Sequence, residues 1–211
     1  MGKVTGAIVV SLWAGLVSAE TVTIAALGDS LTQGYGLPVE QGFVPQLEAW
    51  LEAEGHDVDL INAGVSGDTT QGGLSRVAWT LTPDVDAMIV TLGGNDLLRG
   101  IGPEVSRANL EGIVQAANAA GVEVLVVGMQ APGNYGPEYK QAFDAMYPEI
   151  SAQFGTLYLE SFFAGLGGPD TDPAAVRSFM QPDGIHPNAD GVARIVEGVG
   201  PSVQDLIARV D

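Results

Sequence analysis

The sequence predicts an α/β fold, a single doubly wound, five-stranded parallel sheet with helices on both faces. The chain has 211 residues, of which 46% are hydrophobic and 16% are charged, and this composition is typical of one globular domain with a full core. Short apolar segments also alternate with stretches of helical periodicity, which is the pattern of βαβ units. The predicted strands are 21–27, 58–62, 87–92, 123–128 and 156–159.

The predicted elements differ in their apolar patterns. Four of the five strands are short runs rich in Val, Ile, Leu and Ala, as expected for parallel strands buried on both faces. Two helices are predicted to end at Gly55 and Gly121, and Gly200-Pro201 is expected to interrupt the last helical region. Their apolar faces comprise Phe43, Leu47, Trp50 and Leu51 in the first, Leu110, Ile113, Val114 and Ala117 in the second, and Val192, Ile195, Val196 and Val199, followed by Leu206, Ile207 and Val210, in the last.

The first nineteen residues have the pattern of a secretory signal peptide. Lys3 precedes an apolar stretch over 4–17, and Val17-Ser18-Ala19 supplies a small-residue cleavage site before Glu20. The apolar stretch is shorter than the roughly 20 residues that a membrane-spanning helix requires. We therefore expect 1–19 to be a signal peptide, 20–211 to be the folded domain, and the protein to be periplasmic or secreted. An uncleaved N-terminal anchor is the alternative interpretation.

The charge of the chain restricts its partners. Eight Lys and Arg residues stand against 26 Asp and Glu residues, which gives a net charge of −18, and loss of Lys3 with the leader would make it more negative. A surface of this charge repels nucleic acid and anionic lipid, so no nucleic-acid partner and no stable membrane insertion after cleavage are expected. The chain has no cysteine and hence no disulfides.

Two short motifs together contain the groups needed for acyl transfer. Gly28-Asp29-Ser30-Leu31 follows the first predicted strand, and Asp183-Gly184-Ile185-His186 lies near the end of the chain. Ser30 would be the nucleophile, His186 the general base, and Asp183 the acceptor that fixes the imidazole tautomer. Taken alone, an Asp-x-x-His segment is more often a turn with a surface histidine. Asp29 is expected to hold the turn beside the nucleophile.

Acyl transfer also requires donors for a tetrahedral oxyanion, and two Gly-rich turns offer them. The turn 62–69 follows the second predicted strand, and the turn 92–96 follows the third. Gly67 offers a backbone N–H without side-chain obstruction, and Asn95 offers a side-chain amide. Each turn alone has a simpler interpretation, since Gly-rich turns commonly end strands. The carboxyl ends of parallel strands lie at one edge of a sheet, so Ser30, Gly67 and Asn95 are expected to converge there.

In chain order, Ser30, Gly67, Asn95 and His186 resemble the four blocks of the SGNH hydrolases, also called the GDSL esterase/lipase family. The strings Val65-Ser66-Gly67-Asp68-Thr69, Leu92-Gly93-Gly94-Asn95-Asp96 and Asp183 to Asn188 look most like its bacterial acyl-CoA thioesterase I, lysophospholipase and arylesterase branch. The resemblance covers nearly all of the chain after residue 20. It implies a flavodoxin-like strand arrangement and a serine esterase that acts on small-molecule esters without a cofactor or metal. It also implies an oxyanion hole made by the Ser30 N–H, the Gly67 N–H and the Asn95 amide.

Two alternatives from other classes remain open at this point. Within enzymes, a carbohydrate O-deacetylase is the second substrate class. Outside enzymes, the chain would be a non-catalytic acyl- or glycan-binding relative, although such a protein has no need of Ser30, Asp183 and His186 together. A metal site at His56-x-x-Asp59 is disfavoured, because two histidines in the whole chain cannot form a three-histidine site. His56 is interpreted as a solvated turn residue.

Overall fold

A computed structural model of the chain describes Gly2 and residues 21–167 and 173–210. Apart from Gly2, the predicted signal peptide lies outside the described residues. Within them, five strands form one parallel sheet in the order β2-β1-β3-β4-β5, which confirms the predicted fold class. The strands are β1 (Val22–Gly28), β2 (Val58–Gly64), β3 (Ala87–Thr91), β4 (Glu123–Val127) and β5 (Leu157–Leu159).

The second strand extends further than its sequence predicts. Asn62, Ala63 and Gly64 pair with the last three residues of β1, so the Gly-rich turn begins later than expected. The expectation of burial on both faces holds for the central strands, and all five residues of β3 are buried. It fails at the edges of the sheet. In β2, Asp59 and Ile61 are exposed, and β5 is only half-buried.

The helices form two groups that cover the sheet. In one group α2 packs against α8, and in the other α3, α5 and α6 pack side by side. No helix among the described residues is long and apolar enough to cross a membrane. The described helices are α1 (Ser30–Gln33), α2 (Phe43–Ala53), α3 (Thr70–Thr80), α4 (Gly94–Leu98), α5 (Pro103–Ala120), α6 (Pro137–Phe154), α7 (Pro173–Arg177) and α8 (Ala189–Ile207).

The predicted interruption of the last helix at Gly200-Pro201 is wrong, because α8 continues through both residues. Pro201 removes one backbone donor, but the apolar face of the helix is buried on either side of it, at Val199 and Val203. Gly200 lies against the ring of Trp50, where an added Cβ would stand 2.5 Å from a ring carbon. Most of the stability of a helix in a protein comes from the packing of its apolar face, and here that packing outweighs the missing hydrogen bond.

Candidate active site

The candidate site lies at the carboxyl edge of the sheet, where the strand order reverses. β1 and β3 are neighbours in the sheet although β2 lies between them in the chain, and such switch points open a crevice that binds ligands. Ser30 follows β1 and Asn95 follows β3. A cleft of about 540 Å³ is lined by both of these residues together with Gly67 and His186.

Three of the predicted residues form one hydrogen-bonded chain. Ser30 Oγ lies 2.9 Å from Nε2 of His186, and Nδ1 of the same ring lies 2.7 Å from Oδ2 of Asp183. When Nδ1 carries the proton and donates it to the carboxylate, Nε2 is left as an acceptor for the serine hydroxyl. In that tautomer His186 is placed to take the proton of Ser30.

Asp183 is exposed, yet it is held in its ionised form. Its side chain accepts a hydrogen bond from the ring of His186 and two more from the backbone N–H groups of His186 and Ile185. These bonds, the one from the imidazole first, lower the pKa of Asp183 to about 2. The group facing Nδ1 is therefore a carboxylate, which can accept a hydrogen bond and cannot donate one.

Local hydrogen bonds hold the loop that carries His186. The backbone N–H of Gln181 donates to the His186 carbonyl at 2.7 Å, and the Gln181 amide donates to the carbonyls of Pro187 and Tyr35. Asn188 then caps α8 by accepting the N–H of Gly191. Consequently the loop is tied to the turn beyond Ser30 and to the start of α8.

Tyr35 is a contact that the sequence analysis missed. Its ring centroid lies 4.6 Å from that of His186, and it also lines the cleft. The tyrosine therefore limits how far the imidazole can swing away from Ser30. Tyr35 is the fifth residue after Ser30, and no local pattern indicates that the chain turns back onto the histidine.

Ser30 is the first residue of α1, and Asp29 is its N-cap. Oδ1 of Asp29 accepts the backbone N–H of Leu31 at 3.0 Å, which confirms that this carboxylate holds the turn. Its other oxygen accepts a hydrogen bond at 3.1 Å from Nδ2 of Asn95. Burial is the main reason that the pKa of Asp29 is raised above its ordinary value.

Position 67 requires glycine because of its backbone conformation. Its φ of +82° lies in the left-handed region, where any side chain is strained. The guanidinium of Arg99 donates to the Gly67 carbonyl at 2.7 Å and fixes this peptide from outside. The structure thus brings Ser30, Gly67 and Asn95 to one cleft, as expected from their positions after β1, β2 and β3.

A buried carboxylate, Asp96, joins the elements that carry these turns. It is fully buried and accepts hydrogen bonds from the Thr70 N–H at 2.8 Å, from the Thr70 hydroxyl at 2.6 Å and from the Ser106 hydroxyl at 2.9 Å. The start of α3, the start of α4 and the first turns of α5 are held together in this way. The sequence analysis missed this role, because an aspartate in a Gly-rich turn is ordinarily expected to be solvated.

One wall of the cleft is apolar, and the sequence analysis did not identify it. Met129 is the second residue after β4, so the rule that ligands bind at the carboxyl ends of strands would have indicated it. No sequence signal points to Phe163, which lies in an irregular segment after β5. The apolar lining consists of Leu31, Tyr35, Leu97, Leu98, Met129, Phe163 and Ile185.

His56 lies away from this cleft and is not the solvated residue that the sequence suggested. It is half-buried, and its Nε2 is 3.1 Å from the side-chain amide nitrogen of Gln204 on α8. Across the described residues, no group of three or more His, Cys, Asp or Glu side chains is placed to hold a metal ion.

The chain is similar to known proteins in both sequence and structure. Residues 26–194 match the GDSL-like Lipase/Acylhydrolase family. Esterase TesA of Pseudomonas aeruginosa is 40% identical over 88% of this chain and 89% of its own length. An arylesterase of Vibrio mimicus is 35% identical, with 89% of each chain covered. Thioesterase 1/protease 1/lysophospholipase L1 of Escherichia coli K12 is 33% identical over 88% of this chain and 85% of its own length.

A solved structure shows the same architecture. The psychrotrophic esterase EstA from a Pseudoalteromonas species, in a structure inhibited by monoethylphosphonate, superposes with a TM-score of 0.79 and 31% identity. The match covers 89% of this chain and 99% of that chain.

Proposed function

We propose that this chain, which belongs to the GDSL-like lipase/acylhydrolase family and is a carboxylic ester hydrolase, acts through an acyl-enzyme on Ser30. The observation that carries the proposal is the hydrogen-bonded chain from Asp183 through His186 to Ser30 at the base of the cleft. A nucleophile, a base and a group that orients the base are the parts that covalent acyl transfer requires.

In the proposed first step, Ser30 Oγ attacks the carbonyl carbon of the ester while its proton passes to Nε2 of His186. The C–O bond to the leaving alcohol then breaks, and the alcohol takes that proton. In the second half a water molecule attacks the acyl-enzyme, gives one proton to Nε2, and releases the carboxylic acid as Ser30 regains its proton. The carboxylate of Asp183 stabilises the imidazolium that forms in both halves.

The oxyanion would be bound by the N–H of Ser30, the N–H of Gly67 and the side-chain amide of Asn95. The N–H groups of the first turn of a helix have no acceptor within that helix, which supports the use of the Ser30 N–H. The left-handed backbone at Gly67 and the cleft-facing position of Asn95 support the other two. Preorganised donors of this kind act where charge develops, and each is worth about 10²–10³ in kcat.

The apolar wall of the cleft supports a substrate with a hydrophobic acyl or aryl group. Side chains such as Leu97, Met129 and Phe163 stabilise such a group by removing it from water. We therefore favour aryl and alkyl esters, lysophospholipid-type esters and acyl thioesters over acetylated sugars. The intact arrangement of Ser30, His186 and Asp183 likewise favours an enzyme over a non-catalytic acyl- or glycan-binding relative.

We also propose that the protein is exported to the periplasm or secreted. The support is the sequence pattern of 1–19, with Lys3, a short apolar stretch and the Val17-Ser18-Ala19 site. N-terminal sequencing of the protein from a natural or heterologous producer should then begin at Glu20. A start at Met1 in the exported fraction would favour an uncleaved anchor.

The test of catalysis uses Ser66→Ala as the matched control for Ser30→Ala. Ser66 lines the same cleft, where its hydroxyl donates to Oε1 of Gln33 at 2.6 Å. On a panel of aryl esters, lysophospholipids, acyl thioesters and acetylated sugars, Ser30→Ala should lose nearly all turnover and Ser66→Ala should retain most of it. An organophosphonate should label Ser30, as identified by peptide mass spectrometry. A label on Ser66 or Ser75 would overturn the assignment.

A further inference from the structure

Asp29 has a contact that holding the turn does not require. The residue is only 2% exposed, and one carboxylate oxygen is sufficient to cap α1 through the Leu31 N–H. The second oxygen accepts the hydrogen bond from Nδ2 of Asn95. Asp29 therefore touches a residue to which the proposed function assigns an oxyanion donor.

A side-chain amide has two ends of similar size, and only the NH₂ end can donate. An ionised carboxylate only accepts, so it pairs with the NH₂ end and repels the carbonyl end. One N–H of Asn95 is thus directed at Asp29, and the same nitrogen keeps a second N–H for the cleft. A flipped Asn95 would instead place its oxygen against the carboxylate and present a lone pair to the oxyanion.

We infer that Asp29 is a positioning residue that selects the orientation of the Asn95 amide, so that its donor end faces the oxyanion. This inference rests on the proposed function of Asn95. Asp29 acts through its neighbour and has no assigned contact with the substrate.

The surroundings of Asp29 allow its carboxylate little freedom. A Cβ added at Gly94 would lie 3.3 Å from Oδ2 of Asp29, so the backbone before Asn95 closes over this oxygen. Burial raises the pKa of Asp29, and keeping an ionised group there costs stability. Such buried, perturbed groups concentrate at functional sites, and a turn alone could be capped by a neutral Ser or Asn.

The charge of Asp29 does not by itself oppose the reaction. Attack by Ser30 creates an oxyanion and a His186 imidazolium together. The same carboxylate that repels the oxyanion attracts the imidazolium, and an interaction between Asp29 and His186 already contributes to the pKa of Asp29. The two charge effects are opposite in sign, whereas a reversed Asn95 amide acts only against the oxyanion.

The test is a double-mutant cycle of Asp29→Asn and Asn95→Ala, measured as kcat and KM on a neutral aryl ester. In Asp29→Asn the oxygen of the new amide keeps the cap to the Leu31 N–H, so its NH₂ end faces Asn95. Asn95 then flips to accept from it and turns its own oxygen toward the oxyanion. We expect kcat to fall roughly 10²-fold or more, comparable to the loss of one oxyanion donor, with KM little changed.

The cycle distinguishes a positioning role of Asp29 from a purely structural one, because substitutions of residues that act through each other have non-additive effects. In the Asn95→Ala background, Asp29→Asn should change kcat by less than about threefold. The melting temperature of Asp29→Asn should not fall, since the cap is kept and a buried charge is removed. If Asp29→Asn fails to fold, the cycle is repeated with Asp29→Ser, which keeps a cap but is too short to reach Asn95.

The outcomes are distinguishable. An equal fold-loss of kcat from Asp29→Asn in both backgrounds would overturn the positioning role and leave the proposed function standing. No loss of kcat in Asn95→Ala itself would overturn the donor role of Asn95, and the inference that rests on it.

Discussion

The two sides of the cleft are built by different means. The donor side comprises the turns that carry the proposed oxyanion donors Ser30, Gly67 and Asn95, and these turns follow three adjacent strands. Fully buried Asp96 joins the last two of these turns to α5. The base side, which comprises Asp183 to His186, is a surface loop held by its own hydrogen bonds, and the side chain of Asp183 is 37% exposed. The donor side is therefore fixed by the fold, and the base side by a local turn.

Aspartate thus performs two different tasks at the two sides of the cleft. Asp96 satisfies buried backbone and hydroxyl donors, so its removal should mainly affect folding. Asp183 satisfies the imidazole and its own loop in the presence of water, so its replacement should mainly affect chemistry.

The largest effect is expected from Asp183→Asn. The amide oxygen can still accept the N–H groups of Ile185 and His186, so the loop should keep its shape. The NH₂ group facing Nδ1 favours the wrong tautomer of His186, and in a well-studied triad this change lowers kcat by about 10⁴. Steady-state kinetics should show a loss approaching that size, with only a small fall in the melting temperature. Activity near that of the wild type would show that Asp183 serves only the loop.

Asp96→Ala should mainly reduce stability, and by more than Asp183→Ala does. The Thr70 N–H, the Thr70 hydroxyl and the Ser106 hydroxyl would each lose a buried acceptor. Leaving a buried donor unsatisfied costs roughly 1–3 kcal/mol per group, less where a water enters. Urea unfolding of the two variants measures the difference. Equal free energies of unfolding would remove the distinction between the two sides of the cleft.

The smallest effect concerns acid stability. The pKa of Asp183 is lowered from 3.8 to about 2, so its ionised form favours the folded state. That contribution is present above pH 3.8 and is lost as the pH falls through about 2. The difference in unfolding free energy between the wild type and Asp183→Asn should be constant down to about pH 4 and then narrow. The pKa of Asp29 is shifted upward, so its ionised form disfavours the folded state. The unfolding free energy of the wild type, relative to that of Asp29→Asn, should therefore rise as the pH falls through the acid range.

The parts of the fold that the sequence predicts are those with a strong local signal. The central strands are continuous apolar runs, and α2 and α5 have clear apolar faces. α3 was not located individually, because it buries the small residues Thr70 and Gly73 with only Val77 as a larger apolar group. The extension of β2 to Gly64 and the continuity of α8 depend on pairing and packing with distant elements, which no local pattern contains.

In the site as well, the sequence predicts the residues with a local signal and not those whose role depends on distant contacts. Ser30, Gly67 and Asn95 were expected to converge, because the carboxyl ends of parallel strands share one edge of the sheet. Tyr35, Asp96 and Phe163 were not identified, because their roles arise from contacts with residues that are remote in the chain. Asp96 and Asp183 are the same residue type in the sequence, and only the surrounding fold makes one a buried acceptor and the other a surface residue.

The strand order has a consequence for the modularity of the enzyme. The groups proposed to break the ester bond come from the turns after β1, β2 and β3 and from the loop before α8, whereas Met129 and Phe163 follow β4 and β5 on the other half of the sheet. Part of the apolar wall is thus supplied by stretches of the chain that carry none of the proposed reacting groups. We expect that exchanging the loops after β4 and β5 between relatives, or diversifying them in a library, alters the accepted acyl group and leaves the turns after β1, β2 and β3 in place.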